Sequence, residues 1–245
     1  MILRRVIKHV RNQEWTAVFL DFLIVVVGVF VGLQVQDWNT ARVDGEREQI
    51  LLSRLTADFE AIKVRLNISI EGYQRFINST EYVYQTVESQ TPPASKEEHK
   101  QFANALRAIS NSYLPAWPSS TFLETQSSGN IDLLQSANLK TALIEYDQTT
   151  RIAHNAFGLL ASRTLKYSPP LFDSIRFKAN IEAIDGTNSF FVEDFNFKKM
   201  ADNPDFLPAL SVYITFHANN LTLQRKQYIM ASNVLNQLEK LDTQK

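Results

Sequence analysis

The run FLIVVVGVFVGLQVQ, Phe22–Gln36, decides how the rest of this chain is read. None of its residues carries a charge, and a nearly unbroken series of Val, Leu, Ile, Phe and Gly leaves no face fit for water. Trp15 and Trp38 bracket it, 23 positions apart. At ~1.5 Å per residue that is about 35 Å of helix, enough for the ~30 Å hydrocarbon core of a bilayer and part of each interface. Indole rings prefer the headgroup level, so the two tryptophans read as interface anchors. The sequence therefore predicts a transmembrane helix over 15–38. A cleaved signal peptide would need small residues in an A-x-A-like pattern after the apolar run, and GLQVQDWNTARV has none, which makes the segment a retained signal anchor.

The flanks suggest an orientation. Arg4, Arg5, Lys8 and Arg11 precede the span, while Arg42, Arg47 and Arg54 follow it. With Ile2, Leu3, Val6, Ile7 and Val10 at helical spacing, residues 1–14 read as a basic amphipathic tail whose cations meet lipid headgroups of the anionic cytoplasmic leaflet. That tail holds no folded domain to translocate. The expectation is a cytoplasmic N-terminus and an extracytoplasmic domain over 39–245.

Within the span, Asp21 is chemically out of place, since an ionised carboxylate near the bilayer centre costs roughly 2.5–3.5 kcal/mol. At ~100° per residue Ala17, Asp21, Gly28 and Gly32 share one helical face. Gly28 and Gly32 form a small-xxx-small pair that lets another helix approach closely. This face is the candidate contact with another membrane protein or with a second copy of the chain.

After the span the apolar period becomes that of an amphipathic helix. Leu52, Leu55, Phe59, Ile62, Leu66, Ser69, Tyr73, Phe76, Thr80, Val83 and Val87 alternate steps of three and four, and Thr91-Pro92-Pro93 closes the run. The same spacing recurs in His99, Phe102, Leu106, Ile109 and Tyr113, which Pro115 and Pro118 follow. It appears again in Leu139, Leu143, Tyr146, Thr150, Ala153, Phe157, Leu160 and Thr164, closed by Pro169-Pro170. The last such run is Leu210, Ile214, His217, Leu221, Gln224, Tyr228, Ala231, Leu235 and Leu238. Four such helices predict an all-α chain in which the span leads into an elongated helical bundle. Thr121 and Glu124 suggest a capping box for a shorter helix ending near Gly129. From Pro169 to Pro208 the period breaks, and Phe190, Phe191, Phe195 and Phe197 either cap one end of the bundle or line a groove. Trp117, between two prolines, has the same two readings.

The stretch Asp21–Glu60, DFLIVVVGVFVGLQVQDWNTARVDGEREQILLSRLTADFE, resembles the start of a bacterial family of membrane proteins, domain of unknown function 6090. The likeness rests on Asp21, the Val/Ile/Gly run, Leu33-Gln34, Trp38-Asn39 and the charged helix that follows. It implies a bacterial single-span protein with a helical outer domain, and no activity or site; with the orientation above, the expected location is the cell inner membrane with that domain in the periplasm. FLDFLIVVVGVF also resembles the first helix of type IV pilins, which would imply a pilin-like subunit. Pilins carry a Gly before the mature N-terminus, where this chain has Thr16.

Chemistry is sparse elsewhere. The net charge of −1 offers no general pull toward nucleic acid. There are no cysteines, so disulfides, thiolate metal sites and a Cys nucleophile are excluded. His9, His99, His154 and His217 lie in separate segments without metal-ligand spacing, and no phosphate-binding or nucleophile motif is present. Glu97-Glu98 reads as first-turn helix charge rather than an acid/base pair. The expectation is a non-enzymatic, cofactor-free protein that acts as an interaction scaffold or accessory subunit of a membrane complex. The alternative is a ligand-sensing helical domain that works through a separate transducer.

Overall fold

The computed structural model describes residues 15–179 and 190–243, with side chains from Phe19 onward at its N-terminal end. Helices make up about 80% of the described residues. Two compact units divide it, residues 1–52 and 53–245. A single helix, α1 (Trp15–Glu88), contributes to both.

In the first unit α1 contains no proline and passes Gly45 unbroken, although a mid-helix Gly costs about 1 kcal/mol against Ala. Its apolar side chains, from Phe19 and Phe22 through Phe30 to Val35, are exposed. Beyond them Arg42 bonds Glu46 at 2.6 Å and Arg47 pairs with Asp44 at 3.6 Å, contacts one turn apart on the helix surface.

The second unit begins within α1, where the three-four steps do what their spacing requires. Leu55, Phe59, Leu66, Ser69, Tyr73, Phe76, Thr80, Val83 and Val87 are buried, and Ile62 is half-buried. The helix stops at Glu88, just ahead of the proline pair, and Gln90 takes the left-handed conformation (φ 53°). Helix α2 (Lys96–Ile109) opens with a capping box: Glu98 N–H donates to Ser95 Oγ at 3.1 Å, and Ser95 N–H donates to Glu98 Oε2 at 3.1 Å. Those backbone donors hold the Glu98 carboxyl below its ordinary range. Helix α2 buries Phe102, Ala105, Leu106 and Ile109. His99, expected on this seam, is instead exposed and stacks on Phe195 at 4.3 Å.

An irregular segment leads to α3 (Ser120–Ser127). Its cap is Ser119, which accepts from Phe122 N–H, and not the Thr121–Glu124 pair the sequence suggested. The reason is tertiary. Asp58 of α1 accepts from the Ser119 hydroxyl (2.7 Å), the Ser120 hydroxyl (3.2 Å) and Thr121 N–H (3.0 Å), placing a carboxylate at the helix N-terminus. Glu124 meanwhile pairs with Arg54 at 2.5 Å. Gly129, at φ 73°, turns the chain into a 3-10 turn at Asn130–Leu133. Helix α4 (Ala137–Leu165) follows, capped by Ser136, and α5 (Pro169–Phe172) starts on the proline pair expected to close α4.

Strands β1 (Ile175–Ala179) and β2 (Phe190–Phe195) then form an antiparallel pair, with an irregularity between Arg176 and Phe177. The sequence reading foresaw no strand here, but its apolar cluster is present. Phe195 and Phe197 pack on Phe102 at 5.0 and 5.8 Å, and Phe177 meets Phe190 at 5.5 Å. Phe191 stays exposed. After α6 (Phe197–Asp202), helix α7 (Phe206–Asp242) carries Pro208 in its first turn, where a missing N–H costs no bond.

Helices α4 and α7 lie alongside each other, and Phe59 of α1 meets Tyr146 of α4 edge-to-face at 4.9 Å. A second apolar centre joins Val83 and Val87 of α1, Phe102 and Leu106 of α2, Leu171, Met200, and Phe206 and Leu210 of α7. Each large side chain withdrawn from water here is worth about 1.5–3 kcal/mol.

Candidate functional site

Two features of the described residues invite a functional reading, and the structure gives them different weights. The first is the apolar stretch of α1. Among the described residues it is the one helix long and apolar enough to cross a membrane, and none of its most apolar window is buried. Gly28 and Gly32 face open space, with nothing within 4 Å of where a Cβ would stand. Asp21 and Trp38 are exposed. Trp15 and Ala17 are helical, but their side chains, like Arg4, Arg5, Lys8 and Arg11, lie outside the described residues. The face made by Asp21, Gly28 and Gly32 therefore has no partner among the described residues.

The second feature is a set of buried polar side chains in the second unit, gathered around the segment between α2 and α3. Backbone carbonyls in such a segment cost about 1–3 kcal/mol each if buried without a donor. Here side chains from α1, α4 and α7 supply the donors. His217 Nε2 lies 3.2 Å from the Ile109 carbonyl, Tyr73 Oη donates to the Tyr113 carbonyl at 2.6 Å, and Gln224 Nε2 donates to Leu114 at 3.2 Å. Gln227 Nε2 reaches the Ala116 carbonyl at 3.1 Å, which His154 Nε2 shares at 3.2 Å, and Tyr146 Oη donates to Trp117 at 3.0 Å. A carbonyl only accepts, so both histidines are assigned their proton on Nε2.

The geometry sets the protonation states. Burial lowers the His217 pKa to about 4, against the opposing pull of the Ile109 carbonyl. Tyr73, Phe76, Tyr213 and Phe216 surround the ring, so an imidazolium there would have an apolar jacket. Burial also pushes the Tyr146 phenol up to about 12 and raises that of Tyr73. Asp58 goes the other way. Burial works to raise it, but the hydrogen bonds from Thr121, Ser119 and Ser120 outweigh that and hold the carboxyl low.

These side chains are committed to holding one strap of backbone between α2 and α3. The strap also packs closely on α1 at Gly72, where a Cβ would stand 2.1 Å from the Tyr113 ring. The sequence named His217, Gln224, Tyr73, Tyr146 and Thr150 as seam positions without showing what they bind. Gln227 was missed, although a polar residue inside an apolar helical stripe is the signal that could have found it. The exposed Trp117 leans on His154 at 4.7 Å, outside the buried set.

Among the described residues no group of three or more His, Cys, Asp or Glu is placed to hold a metal ion. Among the described residues one groove, polar and open to solvent, is lined by Asn78, Ser79, Tyr82, Glu97, Gln101 and Asn104. In comparisons with protein-family models, curated proteins and solved structures, the chain matches none.

Proposed function

We propose that this chain is a non-enzymatic, single-pass protein of the bacterial inner membrane, with its N-terminus in the cytoplasm and a periplasmic helical bundle that serves as a scaffold or accessory subunit of a membrane complex. One contrast carries the reading. In the second unit the seam of Leu55, Phe59 and Leu66 is turned inward, whereas the apolar side chains from Phe19 to Val35 of α1 are almost all exposed. In water that surface would be a large aggregation liability, and in a bilayer it is matched to its solvent.

Three further observations support the proposal. Arg4, Arg5, Lys8 and Arg11 suit a cytoplasmic, lipid-facing tail. The likeness of Asp21–Glu60 to the family of domain of unknown function 6090 implies the same architecture. Tyr73, His217 and Gln224 are engaged with the backbone strap, which favours a structural over a catalytic use of them. Contact with other subunits is assigned to the face of Ala17, Asp21, Gly28 and Gly32.

The test is purification of the full chain from membranes in mild detergent, with identification of whatever elutes in fixed proportion. A stoichiometric membrane partner or a defined homo-oligomer is expected. Release of the chain by alkaline carbonate would refute the anchor, and a strictly monomeric, partner-free chain would refute the scaffold.

A further inference from the structure

The core seam of α1 has a counterpart on the opposite side of the helix. Ala57, Ala61, Val64 and Ile68 are all exposed, with Val64 and Ile68 at 62% and 52%. Their steps are four, three and four, the spacing of alternating d and a positions in a heptad, and they sit about 170° around the helix from Leu55, Phe59 and Leu66. Glu71 ends the stripe and is tied to Arg75, one turn on. An amphipathic helix normally turns charged residues toward water on this side, so two β-branched residues and two alanines in register need a partner.

The flanking charges say which partner. In this register Glu60 occupies a g position and Arg65 the following e position. Both are exposed, and neither forms an ion pair within the described residues, although most charges near them on α1 are engaged: Arg54 with Glu124, Asp58 with the α3 cap, Lys63 over the Tyr228 ring and Glu71 with Arg75. In a parallel, in-register pair of such helices, g of one faces the next e of the other. Glu60 of each copy then meets Arg65 of the second copy, twice by symmetry. An antiparallel pair would set g against g and e against e, opposing like charges.

We propose that a second copy of this chain docks on the Ala57–Ile68 stripe, forming a short parallel coiled coil through α1. The proposal rests on the membrane anchor proposed above, because a span upstream of the stripe brings both copies to it from the same side of the bilayer. The anchor also explains why so short a seam suffices. Four side chains, two of them alanines, fall well short of the about 800 Å² per partner of a stable interface in solution. Confinement to a membrane raises the effective concentration and makes a weak, oriented contact productive.

The chain has no cysteine, so one introduced thiol reports alone. In vesicles holding the full chain, Val64→Cys is expected to form an intermolecular disulfide quickly on mild oxidation. Asn67→Cys, on the flank of the stripe, should react slowly. Equal rates at the two positions, or none at Val64, overturn the register. The charge arm separates a second copy from an unrelated partner. With Val64→Cys as reporter, Glu60→Arg or Arg65→Glu alone should weaken association about three- to fivefold, the worth of two exposed ion pairs. The double reversal should restore it. Failure of the double reversal to restore crosslinking overturns the parallel homodimer. Carbonate extraction of the same samples reads the anchor separately. A chain retained in the membrane but never crosslinked overturns the pairing alone, and a chain released from it overturns the anchor and the pairing together.

Discussion

His217 offers a direct measure of how the second unit is held together. Its pKa falls from the ordinary 6.5 to about 4 in the folded protein, so the unfolded chain binds the proton first as pH drops. Stability contributed by the neutral ring is complete above pH 6.5, is lost as pH falls toward 4, and changes no further below that. A displacement of that size corresponds to about 3 kcal/mol at ~1.4 kcal/mol per pH unit. The perturbation is His217→Gln, which keeps an amide N–H for the Ile109 carbonyl but cannot titrate. Urea unfolding of the full chain in mild detergent, followed by circular dichroism, is run for both proteins across this range. Carboxylates such as Asp58, Glu98 and Glu124, all held low in the fold, weaken both proteins alike as pH falls and cancel in the difference. The parent is expected to lose about 3 kcal/mol more than the variant between neutral pH and pH 4. A difference that stays flat across this window would show that His217 is not a buried neutral ring, and the strap geometry would fall with it.

Phe59→Ala, which empties the edge-to-face contact with Tyr146, should cost about 3–5 kcal/mol in the same unfolding assay. Gly72→Ala should cost about 1–3 kcal/mol by driving Tyr113 off α1, and much less when combined with Tyr113→Ala; equal costs in both backgrounds would contradict the close approach. A reporter active only in the periplasm should work when fused after Lys245 and stay silent at Met1, and the opposite pattern would reverse the orientation. Gly28→Ile or Gly32→Ile should reduce recovery of a co-purifying membrane partner without changing insertion, while unaltered recovery in both would free that face of any contact role.

Much of this architecture was legible from local pattern. The apolar helix at Phe22–Gln36, long enough to cross a membrane, needs only a count of uncharged residues, and the long helices need only the alternation of three and four. Leu55, Phe59, Leu66, Tyr73 and Val83 point inward because a 3.6-residue period leaves them no other common direction. Pro92-Pro93 and Pro169-Pro170 marked helix ends for an equally local reason, the clash of a proline ring with the preceding turn.

What tertiary structure decided is where one stretch of chain meets another far away in sequence. Thr121 with Glu124 has the spacing of a cap, yet Asp58, 63 residues before Thr121, settles the helix start at Ser119. The β1–β2 pair was invisible because neither strand is stable alone, and each is defined by the other and by the aromatic floor of Phe102. Gln224 and Gln227 look like interruptions of an apolar stripe until the carbonyls of Leu114 and Ala116, 110 and 111 residues away, are placed beside them. Periodicity reports which face of a helix is buried. Which hydrogen bonds that face must satisfy is set by the backbone packed against it, and only the folded chain brings the two together.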